Sequence, residues 1–176
     1  MIMTTEGPYG SGKTLFAVMM SHGYFRRGWK VTSNIMLNFP HTPLDMGAVY
    51  RLDESIHDTV LLVDEGHYWF DARRSASNNN LAWSNFQDES RKRNLIVLIA
   101  VHSLRKVDWR VRDAIDIRTR CYFDKKNAIL TVRMFDVRDG TFHRPRRYQA
   151  TPFFKLYNTY QRVHRPKGLE RLAGAV

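Results

Sequence analysis

The stretch "EGPYGSGKTLFAV" at residues 6–18 decides the fold, because it contains the spacing G-x-x-x-x-G-K-T. Its glycines can adopt backbone angles that a Cβ forbids, so successive N–H groups can turn inward around phosphate groups. Lys13 would place its charge at the β- and γ-phosphates, and Thr14 would place its hydroxyl at Mg²⁺. The stretch therefore predicts a loop that binds ATP together with Mg²⁺.

The segments that flank this loop have the character that the motif requires. Residues 1–5 are typical of a strand, and residues 15–27 have the apolar spacing of a helix whose positive end would face the phosphates. A chance glycine-rich turn is the alternative, and the strand–loop–helix context argues against it. The predicted nucleotide contacts are the loop residues Gly7, Pro8, Tyr9, Gly10, Ser11, Gly12, Lys13, Thr14 and Leu15.

A second apolar run, "VLLVDE" at residues 60–65, ends in two acids. Asp64 would hold Mg²⁺ through water, and Glu65 would polarise the attacking water. Hydrolysis needs a base whereas metal binding does not, so the adjacent acids favour an ATPase over a simple nucleotide switch. Two surface acids that follow a core strand are the alternative interpretation.

A third apolar run, "VLIAVHS" at residues 97–103, ends in a histidine. A polar side chain beside the γ-phosphate is expected at the end of this strand, so we predict that His102 belongs to the catalytic site. A buried structural histidine is the alternative.

A basic cluster, "ESRKRNL" at residues 89–95, comes just before that run. Phosphoryl transfer leaves negative charge on the γ-oxygens, and an arginine from a neighbouring subunit can stabilise this charge. Arg91 is the best candidate for such a trans arginine, and a charged helix end is the alternative. Other candidates for the trans role are Arg93, Arg110 and Arg112.

The order of elements predicts an α/β fold with a parallel sheet flanked by helices on both sides. Strands are expected within residues 28–37, 59–67 and 94–103, and helices around residues 44–50 and 81–93. Three alternating runs separated by turn sequences then predict an antiparallel meander over residues 115–149. We therefore expect one ATPase domain at residues 1–150 and a basic tail at residues 151–176.

Charge and composition restrict the classes of partner that the chain suits. The chain of 176 residues has a formal net charge of +11, and from Arg138 to its end it has nine basic and two acidic residues, interleaved with aromatics. This composition suits nucleic acid, while a solvated tail or a docking arm for a neighbouring subunit is the alternative. The single cysteine suggests a reducing compartment. We expect neither membrane insertion nor export, because long apolar runs and a signal peptide are missing.

The chain resembles the FtsK–HerA superfamily of P-loop ATPases, which have a RecA-like sheet of the ASCE type, and within it the Zot-like and viral genome-packaging branches. The resemblance covers roughly residues 1–137. It implies Lys13 and Thr14 on phosphate and metal, Asp64 on the metal, Glu65 as the catalytic carboxylate and Arg91 as the trans arginine. His102 stands where these ATPases commonly have a glutamine sensor. The matching stretches are "GPYGSGKT", "TSNIML", "LLVDEGHYWFDAR" and "ESRKRNLIVLIAVHSLRKVDWRVRD".

The resemblance also implies an activity and partners. Such proteins form homo-oligomeric rings, usually hexamers, that move double-stranded DNA through a central channel. We therefore expect an ATP-driven motor that packages a viral genome into a capsid, with capsid vertex proteins as further partners. Its expected place is the cytoplasm of the host cell, with association with the virion left open. One alternative is a Zot-like assembly or secretion ATPase at a membrane complex. Others are a nucleotide-gated binding module and a small-molecule kinase.

Overall fold

The computed structural model of the chain describes residues 1–50, 53–54, 56–72, 90–161 and 163. Within them, eight strands form one sheet. The strands are β1 (Ile2–Glu6), β2 (Lys30–Ser33), β3 (Thr42–Pro43), β4 (Thr59–Val63), β5 (Ile96–Val101), β6 (Ile117–Asp124), β7 (Ile129–Asp136) and β8 (Arg146–Gln149). Their order in the sheet is β3-β2-β4-β5-β1-β6-β7-β8. Strands β1 to β6 pair in parallel, and β6, β7 and β8 pair antiparallel.

The central parallel strands are covered on both faces. Every residue of β4 and β5 is buried, as expected for continuous apolar runs in a parallel sheet. One face packs against helix α1 (Lys13–Phe25), which buries Leu15, Phe16 and Val18. The other face packs against helix α3 (Trp109–Asp113) through Val111. A short helix α2 (Met46–Tyr50) lies between β3 and β4 in the chain. The predicted α/β architecture is confirmed.

The predicted antiparallel meander is also confirmed, and it continues the main sheet. Its first strand, β6, pairs in parallel with β1, so the meander extends the edge of the sheet beside the phosphate loop. The carboxylate of Asp124 accepts hydrogen bonds from the backbone N–H groups of Lys126 and Asn127, which fixes the turn between β6 and β7.

Two expectations concern residues that the structure describes only in part. The helix predicted at residues 81–93 falls mostly on residues 81–89, which lie outside the described residues. The boundary at residue 150 stays a prediction. The segment that follows it begins with a 3₁₀ helix, Thr151–Leu156, whose Leu156 is buried in the core cluster around α1. In the described part of the chain, none of the helices has the length and apolar character needed to span a membrane.

Candidate functional site

The phosphate loop lies at the carboxyl end of β1, where the chain turns into α1. Gly10 and Gly12 have positive φ angles of 73° and 89°, a region that side chains with a Cβ rarely adopt. A Cβ on Gly12 would lie 2.5 Å from Cδ1 of Leu130 in β7. The loop thus needs glycine at position 12 both for its backbone angle and for the close packing of the meander.

The two side chains that follow the loop glycines point to different partners. Lys13 Nζ donates a hydrogen bond to the Pro8 carbonyl oxygen at 2.9 Å. Burial lowers the pKa of Lys13, and nearby Glu65 opposes this effect. Thr14 Oγ1 donates to Asp64 Oδ1 at 3.0 Å, which joins the start of α1 to the end of β4.

The oxygens of Thr14 and Asp64 suit Mg²⁺. Hydroxyl and carboxylate oxygens are hard ligands, and Mg²⁺ is normally held by one or two of them together with phosphate oxygens and water. Two protein oxygens leave most of the coordination to phosphate oxygens and water, so the pair fits an ion that arrives with a nucleotide. Burial, reinforced by the neighbouring Glu65, raises the pKa of Asp64 to about 6.

Asn34 holds the backbone of Asp64 in place, a role that the sequence did not indicate. The Asn34 side chain donates to the Asp64 carbonyl oxygen at 2.8 Å and accepts from the Asp64 backbone N–H at 2.7 Å. These two bonds fix the backbone at the end of β4. The available signal was that a polar residue follows β2, the neighbour of β4 in the sheet, so both ends meet at one edge.

Glu65 lies between two histidines. Its Oε1 is 3.4 Å from His102 Nε2, and its Oε2 is 3.3 Å from His67 Nδ1. Burial lowers the pKa of both histidines, and nearby Lys13 lowers that of His102 further. The Glu65 backbone has a φ of 51°, a left-handed angle that is uncommon for a residue with a side chain. The structure thus brings Glu65 and His102 together and adds His67, which sequence reasoning had given no role.

Lys13, Thr14, Asp64, Glu65 and His102 line one cavity of about 240 Å³. Part of its wall comes from the segment after the 3₁₀ helix, in which sequence reasoning saw only a basic tail. Tyr157 forms an isolated β-bridge with Leu37, and Gln161 Oε1 accepts a hydrogen bond from the Met36 N–H at 2.7 Å. The lining residues are Tyr9, Gly10, Lys13, Thr14, Ile35, Asp64, Glu65, His102, Tyr157, Asn158, Thr159 and Gln161.

Two aromatic residues of the cavity differ in exposure. Tyr9, in the loop, is 85% exposed, and its ring centroid lies 3.7 Å from that of His102. Tyr157 is largely buried, and burial together with the charge of Asp64 raises its pKa to about 12. Tyr157 therefore keeps its proton at neutral pH and can act as a hydrogen-bond donor inside the cavity.

Arg91 lies away from the site of its own chain. It precedes β5, and its Nη2 is 3.8 Å from Asp116 Oδ1, while the other oxygen of Asp116 accepts from the backbone N–H of Ile2 at the start of β1. Arg91 is thus at the amino ends of the strands, whereas the phosphate loop is at their carboxyl ends. Its side chain is 81% exposed, so it is open to a neighbouring subunit. The role of Arg91 in trans stays a prediction.

Comparisons with known proteins identify relatives of both the sequence and the fold. The family model described as zonular occludens toxin (Zot) matches residues 35–158. No curated protein matches the chain. A similar solved structure is the N-terminal domain of zonular occludens toxin from Neisseria meningitidis, with a TM-score of 0.65 and 21% identity over 89% of this chain and 98% of that chain.

Two further structures share the fold. The genome packaging NTPase from Sulfolobus turreted icosahedral virus 2, in complex with ATP-gammaS, has a TM-score of 0.61 and 13% identity over 81% of this chain and 94% of that chain. The flagellar accessory protein FlaH from Methanocaldococcus jannaschii has a TM-score of 0.54 and 10% identity over 84% of each chain. At these identities the likeness concerns the fold.

Proposed function

The chain belongs to the zonular occludens toxin family, and from this premise we propose that it is an ATP-hydrolysing motor that translocates DNA. The sequence resemblance favours double-stranded viral DNA, packaged into a capsid. The motor would act as a homo-oligomeric ring, a hexamer by the same resemblance, in the cytoplasm of the host cell. Capsid vertex proteins are proposed as further partners.

The observation that carries the proposal is the position of Glu65 beside the Thr14–Asp64 pair in one cavity. Lys13 would bind the β- and γ-phosphates, and Thr14 with Asp64 would hold Mg²⁺. The ion, when bound, neutralises charge on the phosphate oxygens. Glu65 would orient the attacking water and take its proton, and His67 and His102 lie 3.3 and 3.4 Å from its carboxylate oxygens.

The charge of the chain supports DNA as the cargo. A formal net charge of +11 attracts a polyanion over distances limited by salt screening. The fold is shared with the genome packaging NTPase of Sulfolobus turreted icosahedral virus 2. Both observations favour a motor that acts on nucleic acid over an ATPase that acts on a small molecule.

The second candidate is an assembly or secretion ATPase that works at a membrane complex. The family match and the similarity to the N-terminal domain of a Neisseria toxin protein favour it. Sedimentation of the protein with liposomes of neutral lipid, in the absence of DNA, would support this candidate, because acidic lipid would attract any protein with a net charge of +11. A motor for DNA should instead stay in the supernatant with liposomes and respond to DNA.

The test of the proposal measures ATPase rate with and without DNA, at several protein concentrations and at low salt. We expect DNA to raise the rate, and the rate per subunit to rise with concentration because a site shared between subunits needs a ring. Lys13→Ala is the control that removes phosphate binding. A wild-type ATPase rate that neither duplex nor single-stranded DNA changes would overturn the proposal.

A further inference from the structure

The meander has two faces of different character. One face, with Cys121 of β6 and Leu130 and Val132 of β7, packs into the core cluster that contains α1 and Leu156. Because side chains alternate along a strand, the intervening residues point to the other face. We call this other face of β6, β7 and β8 the open face, since Tyr122 on it is 69% exposed.

Cross-strand pairing brings basic and aromatic side chains together on the open face. Antiparallel partners share a face, and here Arg120 pairs with Arg133, and Arg118 pairs with Phe135. The ring of Phe142 lies against Phe135, with centroids 4.5 Å apart, and is 81% exposed. A further row across the three strands consists of Tyr122, Thr131 and Arg147.

Some arginines of the open face repel each other. Like charges directly opposite each other on neighbouring strands are destabilising, as for Arg120 and Arg133. Arg120 lies 3.8 Å from Glu6, but no acidic side chain among the described residues lies within ion-pair distance of Arg118, Arg133 or Arg147. An anion with regularly spaced charges would remove this repulsion.

The exposed aromatic rings of the open face also restrict the kind of ligand it suits. Tyr122 and Phe142 expose apolar surface that water solvates poorly. Bases in a duplex are stacked on each other, whereas unpaired bases have free faces that stack on aromatic side chains of a sheet. A basic sheet surface with exposed aromatics therefore suits a single strand better than a duplex.

From these observations we propose that the open face binds single-stranded DNA, with phosphates on the arginines and bases on the aromatic rings. The proposal rests on the proposed function and names the form of DNA that this surface takes, in place of the duplex that the resemblance favours. The face adjoins the nucleotide site, because Arg120 contacts Glu6, the residue immediately before the phosphate loop.

The first test measures binding of a fluorescent 20-nucleotide oligothymidine by anisotropy, with a blunt duplex of the same length as competitor. We expect the single strand to bind tighter. If four arginines contact phosphates, the log–log salt slope should be about −2.8, and a fourfold rise in salt should weaken binding about 50-fold. The Arg120→Gln, Arg133→Gln double variant should reduce the slope to about −1.4.

The matched control removes the same charge elsewhere. Arg26 and Arg27 are exposed at the end of α1, away from the open face. The Arg26→Gln, Arg27→Gln double variant should keep the slope of the wild type. An equal loss in both double variants would mean that net charge alone drives binding, and it would overturn the proposed surface.

The second test separates stacking from charge. Tyr122→Ala should weaken binding of the single strand about tenfold, whereas Tyr122→Phe should bind like the wild type because the ring remains.

Tighter binding of the duplex, or an unchanged affinity of Tyr122→Ala, would overturn the inference and leave the proposed motor function standing. If the Arg120 and Arg133 variants changed the oligomeric state in sedimentation and left DNA affinity unchanged, the face would be a contact between subunits. A wild type that binds no DNA at low salt would overturn the proposed function as well.

Discussion

The parallel and antiparallel halves of the sheet differ in which of their faces are covered. Strands β4, β5 and β1 are covered on both faces, and Asn34, Asp64, Glu65 and His102 lie at the carboxyl ends of these strands and of the neighbouring β2. Among the described residues, strands β6, β7 and β8 pack on one face only, into the core cluster that contains α1, and Leu130 on that face lies beside Gly12 of the phosphate loop. On the proposed function, the parallel half would perform the chemistry, whereas the antiparallel half would support the loop and present a surface to DNA. Variants in the two halves should therefore fail in different measurements.

The largest effect is expected from a residue that belongs to neither the site nor the meander. Arg91→Ala should lower the ATPase rate by a factor of about 10³–10⁵ without unfolding the protein, because a trans arginine stabilises charge on the γ-oxygens. Arg91 is exposed and lies at the amino ends of the strands, so in the proposed ring it would act on the nucleotide of a neighbouring subunit. Steady-state phosphate release at saturating ATP measures the effect, and Arg26→Ala is the matched control.

Mixing subunits tests whether Arg91 acts across an interface. In an equal mixture with Glu65→Gln subunits, about a quarter of the head-to-tail interfaces would combine an intact arginine with an intact Glu65. We expect a rate that neither variant shows alone. No recovery at any mixing ratio would exclude action in trans and would place the whole reaction within one subunit.

The second largest effect is expected at Glu65 and tests whether the catalytic base lies in the parallel half. Glu65→Gln should lower turnover by a factor of roughly 10²–10⁴, because the amide cannot take a proton from water. Nucleotide binding should persist, since Lys13 and Thr14 remain in place. Affinity for a fluorescent ATP analogue and turnover are measured together. A variant that still hydrolyses ATP at a similar rate would show that another group is the base.

The third effect belongs to the antiparallel half. Leu130→Ala should lower the free energy of unfolding by about 2–5 kcal/mol, because Leu130 is fully buried and fills the space beside Gly12. Ile129→Ala is the control, since the half-buried Ile129 lies on the open face and should cost less. Chemical denaturation measures both. Equal losses for the two variants would contradict the difference between the faces.

The difference between the halves also explains what the sequence could predict. The phosphate loop, the acids after β4 and the histidine after β5 were predictable, because each consists of consecutive residues at the end of one strand. The covering of the parallel strands followed from their continuous apolar runs. These inferences need only local patterns and the rule that parallel strands end at the same edge.

Other features depend on contacts between distant parts of the chain. Asn34 bonds to Asp64 across 30 positions, and Gln161 bonds to Met36 across 125. Composition indicated only a basic tail at that end of the chain, because nothing in the pattern of a charged, aromatic segment specifies where it packs. The contact of Arg91 with Asp116 likewise became apparent only from the structure, because the pattern around either residue does not specify it.

The smallest effect tests the segment that joins the two halves. After β8 the chain packs against α1 and brings Tyr157 into the cavity of the parallel half. If its neutral hydroxyl donates to the bound nucleotide, Tyr157→Phe should weaken ATP binding roughly two- to tenfold, with kcat and stability unchanged. Tyr148→Phe is the matched control, because Tyr148 packs 6.1 Å from the ring of Phe16 in the core. An unchanged ATP affinity of Tyr157→Phe would mean that Tyr157 lines the cavity without contacting the nucleotide.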